Sequence, residues 1–287
     1  MEVIIGSGNL KVAFNKKGVA DRLKGYQAPP SEEVQEFYQN FYASSEGQLS
    51  PLAKTRNIQF ENIFQKLSPY LSPVGVMELI DIGAGRGDFV KFLKQKLQGR
   101  QTNIHGVEPA CAPEDSGVKK LALEQVFSDS SLPSKFDLVF LLDVFEHFND
   151  PHEKIKVLAQ MVKPGGLICL KVPNKNGLLY LIAKYGSIIS TALSKGLLSR
   201  IYQVNFPPPH FYYYDKNSLE QVIAPNFETV DTFYLSELPI RGIVSRVWGV
   251  SPLLKAVLIP CAFIYTLLAR LSFADGLVIV AKKTTSK

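Results

Sequence analysis

The segment Glu78-Leu79-Ile80-Asp81-Ile82-Gly83-Ala84-Gly85-Arg86-Gly87-Asp88-Phe89 constrains the fold more than any other stretch of this 287-residue chain. An apolar run breaks into a Gly-x-Gly-x-Gly turn and then into residues with helical spacing. Glycines at such a turn accept tight backbone angles and let a ligand lie against the main chain. A turn of this kind, at the C-terminal end of a first parallel strand, sits where open α/β sheets bind ligands, with the N–H groups of the helix start aimed at the bound molecule. The middle of the chain agrees with that reading. Short apolar runs alternate there with amphipathic stretches, the pattern of βαβ units and of a parallel sheet covered on both faces.

The pattern predicts strands at Met77–Ile82, Asn103–Val107, Gln125–Phe127, Phe136–Leu142 and Leu167–Val172, then Thr229–Tyr234 and Leu277–Ala281. Helices are predicted at Asp88–Leu97, Ser116–Leu123, Pro151–Val162 and Asn217–Ile223, with Ser31–Phe41 and Leu52–Leu67 ahead of the sheet. Ser31 is a candidate N-cap, with acidic residues in the first turn. Asp137 is expected to start its strand rather than to do chemistry.

A second chemical signal is Ile104-His105-Gly106-Val107-Glu108-Pro109. It places an acid about 20 residues after the last glycine, the spacing at which a carboxylate accepts the hydroxyls of a ribose. Pro109 ends the strand there and fixes where Glu108 points. A nicotinamide enzyme shares this much, but its fingerprint is Gly-x-Gly-x-x-Gly around a pyrophosphate, whereas here Asp88 directly follows Gly-x-Gly-x-Gly. An acidic surround suits a ligand that carries an ammonium and a sulfonium, which is S-adenosylmethionine.

Four blocks stand in one order: ELIDIGAGRGDF, IHGVEP, FDLVFLLDVFEHFNDP and VKPGGLICLKVPN. On these blocks the chain resembles, over about residues 35–283, the class I S-adenosylmethionine-dependent methyltransferases, in the broad group of ubiquinone-biosynthesis-type and polysaccharide-associated enzymes. The resemblance implies an α/β, Rossmann-like, doubly wound and mostly parallel seven-stranded sheet with the last strand antiparallel, plus helical N-terminal and cap insertions. It divides the chain into an extension, 1–30, and a single methyltransferase domain, 31–287, with cap segments at about 176–206 and 235–273. It implies that Asp81, Gly83, Ala84, Gly85 and Gly87 line the methionine part of the cofactor, that Glu108 binds ribose, and that Asp129 lies at the adenine. Leu142, Asp143 and Val144 are implied to flank the cofactor near its reactive methyl group.

Two histidines compete as general base. His147 follows Glu146 in a turn closed by Asp150-Pro151, and an imidazole with a pKa near 6.5 can take a proton from a hydroxyl nucleophile. Its other reading is a residue that holds the turn through a backbone hydrogen bond. His210 lies in Pro207-Pro208-Pro209-His210-Phe211-Tyr212-Tyr213-Tyr214, a stiff aromatic loop that either shapes a substrate pocket or covers the sheet edge. The four histidines are spread along the chain, and no metal-ligand spacing is visible.

Composition closes off other classes. With 46% hydrophobic and 20% charged residues the chain is ordinary globular material, not a disordered or collagen-like one. Three cysteines, Cys111, Cys169 and Cys261, form no CxxC pair, which argues against a disulfide framework or a zinc site and for a reducing, cytoplasmic compartment. Gly, Ser, Asn and Lys interrupt the first residues too often for a signal peptide, so the protein is expected to start near Met1. The formal charge of +6 is concentrated: from Arg241 onward seven basic residues stand against Asp275 alone, and residues 174–205 hold basic residues but no acid. Scattered among leucines and isoleucines, these charges suit a membrane face or an anionic substrate better than nucleic acid.

Residues Leu178 to Lys195 are predicted to form one amphipathic helix. Leu178, Leu181, Ile182, Tyr185, Ile188, Ile189 and Ala192 share a face, with Lys184 and Lys195 at its edge, where snorkelling lysines sit on a membrane-lying helix. The insertion from Leu235 to Phe273 contains an apolar run from Ala256 to Ala269 that is shorter than the roughly 20 residues of a membrane span and is interrupted by Pro260. Both segments read either as interfacial and substrate-covering elements or as cap helices that pack on each other. The expected activity is methyl transfer from S-adenosylmethionine to an oxygen of a small, lipid-like or glycan-linked acceptor, at the inner face of a membrane. N- or C-methylation, a non-catalytic S-adenosylmethionine-binding scaffold, and a nicotinamide oxidoreductase are the other readings.

Overall fold

The computed structural model describes residues 2–5, 10–27, 29–44, 51–71, 75–109, 117–121, 125–126, 134–186, 190–236, 259–260, 263–265, 267–268 and 273–284. The central sheet contains β4 (Met77–Ile82), β5 (Thr102–Glu108), β6 (Val118–Lys120), β7 (Phe136–Leu142), β8 (Val162–Pro173), β10 (Phe227–Leu235) and β11 (Gly276–Lys283). Its order is β10-β11-β8-β7-β4-β5-β6. β4 pairs in parallel with both β5 and β7, and β11 runs antiparallel between β10 and β8. The expected seven strands with an antiparallel last strand are therefore present.

Alternate residues of the central strands enter two cores. Ile80, Ile82, Val139, Leu141, Ile168 and Leu170 pack on one face, while Leu79, Leu138, Phe140, Cys169, Val278 and Val280 pack on the other. Helix α3 (Asp88–Lys96) and helix α2 (Pro51–Leu67) cover the second face through Phe89, Leu93 and Ile63. Burial on both sides is why these strands read as near-continuous apolar runs. Helix α1 (Ser31–Ser44) precedes α2, and helix α4 (Pro151–Met161) starts where the Asp150 side chain accepts the Glu153 N–H at 3.2 Å with Pro in the first turn. The chain reverses its order of strands between β4 and β7, which opens the ligand crevice at their C-terminal ends.

At the sheet edge two expectations exchange places. Gln125 and Val126 are helical rather than a strand, and Val118–Lys120, inside the predicted helix Ser116–Leu123, is the edge strand beside β5. Gly117, at a φ of +71°, turns the chain into register, so that Gly106 meets Val118 and Glu108 meets Lys120. No helical spacing survives that turn.

The first residues form a second sheet. β1 (Glu2–Ile4), β2 (Lys11–Ala13) and β3 (Asp21–Lys24) make an antiparallel meander that continues onto β9 (Tyr212–Tyr213) through Asp21 opposite Tyr213. The predicted helix from Leu178 to Lys195 is broken: α5 (Leu178–Tyr185) stops at Gly186, and α6 (Thr191–Ile201) starts anew. Tyr180, Ala183, Leu198 and Tyr202 of these helices pack beneath the meander with Ile5, Val12, Leu23 and Tyr213. The side chains of Leu179, Ile182 and Tyr185 point outward instead. Lys184 is not a boundary lysine: its Nζ lies 3.1 Å from the fully buried Asp21 and 4.8 Å from the Phe14 ring centroid. Helix α7 (Lys216–Ile223) is closed by a capping box between Asp215 and Ser218.

Asp21 also accepts the Tyr180 hydroxyl at 2.8 Å and the Asn15 N–H at 2.6 Å, and Tyr180 in turn meets the Tyr202 hydroxyl at 2.8 Å. Removing the carboxylate takes the counter-ion from the half-buried Lys184 and the acceptor from the Tyr180 hydroxyl and the Asn15 N–H, so Asp21→Ala is expected to cost about 3 kcal/mol of folding stability. Urea unfolding checks this; a midpoint equal to that of the wild type would refute it.

Candidate active site

The loop after β4 is bound to the end of β5. The N–H groups of Gly83 and Ala84 donate to the Val107 carbonyl at 2.9 and 3.0 Å, and the Gly85 N–H donates to Glu108 Oε2 at 2.9 Å. Gly83, Gly85 and Gly87 all have positive φ, and Gly87 caps α3. A Cβ at Gly83 would lie 2.4 Å from Val144 Cγ2, so the start of this loop fits only a bare backbone against the end of β7.

Below the loop lies a cavity of about 360 Å³, lined by Asp81, Gly83, Ala84, Gly85, Leu142 and Asp143 among others. Asp81 is buried, and its carboxyl is pushed up to about 8, first by burial and second by the charge of Glu108. Asp143, at a φ of +59°, turns its carboxylate onto Lys171, whose Nζ lies 2.7 and 2.6 Å from the two carboxylate oxygens. Glu108 is buried, and its charge, with burial as the larger cause, helps push the Tyr38 hydroxyl of α1 up to about 12. Asp81, Gly83, Ala84, Gly85, Leu142 and Asp143 thus line one strand-end crevice, Glu108 and Val144 lie against its loop at Gly85 and Gly83, and Gly87 closes the turn. Asp129 lies outside the described residues.

A second cavity of about 370 Å³ shares Asp143 with the first and extends to Glu146, Tyr180, Arg200, His210 and Tyr213. His147 and His210, 63 positions apart in sequence, come together here with their rings 4.7 Å apart in an edge-to-face arrangement. His147 Nδ1 donates to the Pro208 and Pro209 carbonyls at 2.9 and 3.0 Å, and His210 Nε2 lies 3.8 Å from Glu146 Oε1. Burial pulls the pKa of His147 down, with the proline carbonyls opposing; that of His210 falls further, through burial and then the neighbouring His147. Both imidazoles are therefore neutral near pH 7. The expectation of scattered histidines is corrected: Glu146, His147 and His210 each bring a potential ligand atom within 4.8 Å of the others. Asp137 has the structural task expected of it, accepting the Glu78 N–H and Lys163 Nζ at 2.8 and 2.7 Å.

Sequence reasoning missed Lys171, Glu146 and the wall supplied by α2. Lys171 had a visible signal, a lone cation in the apolar strand Leu167–Val172. Arg56, Gln59 and Phe60 had none, because only the packing of α2 on α3 brings them to the cavity.

Comparison with known proteins fits this geometry. A family model described as a methyltransferase domain matches residues 52–226. The chain belongs to this family of class I, S-adenosylmethionine-dependent methyltransferases. Ubiquinone biosynthesis O-methyltransferase of Pseudomonas aeruginosa (strain UCBPP-PA14) is 31% identical over 122 residues, covering 38% of this chain and 50% of that protein. The enzyme of the same name from Pseudomonas putida (strain F1) is 26% identical over 153 residues, covering 50% and 62%. The chain spans about half the length of the curated relatives it matches. Among solved structures, the fold is similar to Burkholderia thailandensis 1,6-didemethyltoxoflavin-N1-methyltransferase, crystallised with S-adenosylhomocysteine, at a TM-score of 0.52, 14% identity and 99% coverage of both chains. It is also similar to the cyclopropane synthase MmaA2 of Mycobacterium tuberculosis, at a TM-score of 0.54, 17% identity and coverage of 90% and 100%.

The residues present fit S-adenosylmethionine: a bare backbone cradle at Gly83, acids at Asp81 and Glu108, and a crevice at the switch point of the sheet. Because Asp81 is protonated at pH 7 in the free protein, a ligand ammonium beside it favours the ionised form. Binding is then expected to release a proton, and affinity should rise with pH up to about 8. Titration of S-adenosylhomocysteine at pH 7 in phosphate and in Tris should give enthalpies that differ with the ionisation heat of the buffer, and Asp81→Asn should remove the difference. Glu108→Ala is expected to weaken the same ligand by about 1.5–3 kcal/mol, roughly 10- to 150-fold; unchanged affinity refutes its role.

Proposed function

We propose that this chain transfers a methyl group to an oxygen of a small, amphiphilic acceptor, with the two cavities holding cofactor and acceptor on either side of Asp143. The observation that carries this reading is the shared wall. A crevice lined by Asp81 and Gly83 meets, at Asp143, a cavity lined by His210 and Glu146, with the His147 ring behind them 4.7 Å from that of His210. S-adenosylmethionine supplies an electrophilic methyl group when bound. The protein's share of the chemistry is positioning, exclusion of water and control of one proton. Asp81, Ala84, Gly85, Gly87 and Glu108 hold the cofactor, and Leu142, Asp143 and Val144 set its reacting end beside the acceptor. The Lys171 ion pair keeps the Asp143 carboxylate in place. A neutral amine attacks through its free lone pair before it loses a proton, whereas a hydroxyl gains nucleophilicity from a base, so the paired histidines favour an oxygen acceptor, whose proton they receive. The ubiquinone-type relatives, O-methyltransferases by name, support the same atom.

The acceptor's class follows from the rim. Leu179, Ile182 and Tyr185 of α5 are exposed, and so are Phe263, Ile264 and Leu267 of the insertion. Tyr265 of that segment packs with Leu178, and its hydroxyl donates to Asp275, which also accepts the Leu179 N–H at 3.0 Å. Leu179 lines the second cavity with Arg200 and the acids Asp143, Glu146 and Asp275, and the other exposed apolar side chains of α5 lie in an acid-free stretch of sequence, which suits an acceptor drawn from an anionic bilayer on the cytoplasmic side. Among the described residues no helix is long and apolar enough to cross a membrane.

Methyl transfer from labelled S-adenosylmethionine to phenolic lipids, lipid-linked sugars and amines tests the acceptor atom; labelling of amines alone refutes it. His147→Gln and His210→Gln are expected to lower kcat by about 10²- to 10⁴-fold with S-adenosylhomocysteine affinity unchanged. On anionic vesicles at low salt the protein should co-sediment, and added salt should release it. Ile182→Gln with Leu179→Gln should abolish that association.

A further inference from the structure

A third cavity, of about 290 Å³, lies across β3 and β9 from the one that holds His210, and the two share no lining residue. Alternation along these strands divides their side chains. Asp21 binds Tyr180 and Tyr213 lines the second cavity, while Arg22, Tyr212 and Tyr214 line the third. The hairpin between β2 and β3 forms one wall and is pinned in place. Its Gly18 N–H donates to Asp215 Oδ2 at 2.9 Å, and Lys175 Nζ donates to the Lys16 and Val19 carbonyls at 3.0 and 2.5 Å. Helices α4 and α7 supply another wall through His152 and Gln221.

Its charge is opposite to that of the other two cavities. Among the described residues Arg22, Lys24 and His152 line it and no acid does, whereas Asp81 and Asp143 line the first cavity and Asp143, Glu146 and Asp275 the second. Asp150 and Asp215, next to it in sequence, cap α4 and α7 instead. Lys24 is engaged by Glu2 at 2.8 Å, but Arg22 makes no ion pair among the described residues. The Arg22 guanidinium lies 5.3 Å from the Tyr212 ring centroid and donates to Asn149 Oδ1 at 3.2 Å, and the Tyr212 hydroxyl donates to the Asn149 carbonyl at 3.2 Å. Both contacts fix the guanidinium fork and leave further N–H donors for an anion. The Tyr212 ring stacks on that of Tyr214, 5.7 Å away. Tyr214 is fully buried, and its hydroxyl has no hydrogen-bond partner. Buried hydroxyls are nearly always satisfied, so an orphan in the wall of an acid-free cavity marks a contact that a ligand completes. We propose that this cavity binds a small organic anion that carries a planar ring. The anion takes its donors from Arg22 and from the Tyr214 hydroxyl, and the ring lies against Val19, Ala20 and Val222. The site uses no residue of the cofactor crevice or of the second cavity, so it stands apart from the methyl-transfer reading.

The test is calorimetric titration and thermal melting of the full-length protein with 2-naphthoate, 2-naphthyl phosphate, 2-naphthol and inorganic phosphate, each with and without S-adenosylhomocysteine. One equivalent of a naphthyl anion is expected to bind and to raise the melting temperature. Binding of only one of the two supports the site and assigns the anion as carboxylate or phosphate. Naphthol and inorganic phosphate, each lacking half of the recognised chemistry, should bind roughly tenfold or more weakly. Arg22→Gln and Tyr214→Phe should each weaken the anion by about tenfold or more, whereas Arg200→Gln, in the second cavity, should not. Without ligand, Tyr214→Phe should melt no lower than the wild type, because the hydroxyl it loses has no partner, so weaker binding in that variant is not loss of fold. Absence of binding by folded wild-type protein, equal binding of naphthol, or equal affinity in wild type and the Arg22 and Tyr214 variants overturns the site. Displacement of the anion by S-adenosylhomocysteine, which would place it in the cofactor crevice, overturns the site as well.

Discussion

The hydrogen bonds that tie the loop after β4 to the end of β5 are the constraint on which the rest of the site depends. Three consecutive N–H groups, from Gly83, Ala84 and Gly85, are taken by the Val107 carbonyl and the Glu108 carboxylate. Glu108 is thereby both a candidate ribose ligand and a structural acceptor, which is why its burial is tolerable. With the loop drawn against β5, Gly83 comes to rest on Val144 at the end of the neighbouring β7. One turn thus sets the spacing of three strand ends. The crevice between them is a consequence of strand order, and its chemistry a consequence of which side chains those ends carry.

A second constraint acts on the second cavity. The residues that wall the second cavity come from distant parts of the chain, and they are held by a polar knot rather than by the main cores. Asp21 binds Tyr180 and Lys184 of α5, Tyr180 binds Tyr202 at the end of α6, and Tyr202 supplies the carbonyl that anchors His210. The N-terminal meander is thereby linked to the position of an imidazole. Buried polar networks of this kind cost stability unless every member is satisfied, and when satisfied they favour a single arrangement.

What could be read from the sequence follows from the range over which each feature is determined. The central strands and the glycine loop are written locally, as apolar runs ended by Gly or Pro, and the sheet occupies nearly the predicted residues. The edge strand is not legible in the sequence because Val118-Lys119-Lys120 carries no apolar periodicity; its state is decided by pairing with β5. The break in the segment from Leu178 was hidden for a related reason. Residues 178–195 segregate well at helical spacing, but Gly186 ends the first helix, and the buried side is chosen by the meander above it. Tyr180 and Ala183 are turned inward, and Lys184 is taken by Asp21. The meeting of His147 with His210 could not be read at all, since nothing in their spacing reports the fold of the loop between Phe206 and Phe211. Most of the insertion from Leu235 to Phe273 lies outside the described residues; Phe263, Ile264 and Leu267 within it are exposed.

The charges around the cofactor crevice explain why an acidic surround suits a cation and is still stable without one. Asp143 is neutralised by the buried Lys171, and Asp88 lies 3.6 Å from Arg56. Asp81 is kept protonated by burial and by Glu108. The free crevice therefore carries little uncompensated negative charge beyond Glu108, whose carboxylate accepts the Gly85 N–H. A cationic ligand would change that balance at Asp81, whose carboxyl, raised to about 8, ionises in response. The site is thus arranged so that its acidity develops as the ligand arrives, and folding does not have to bear the repulsion of two ionised carboxylates side by side.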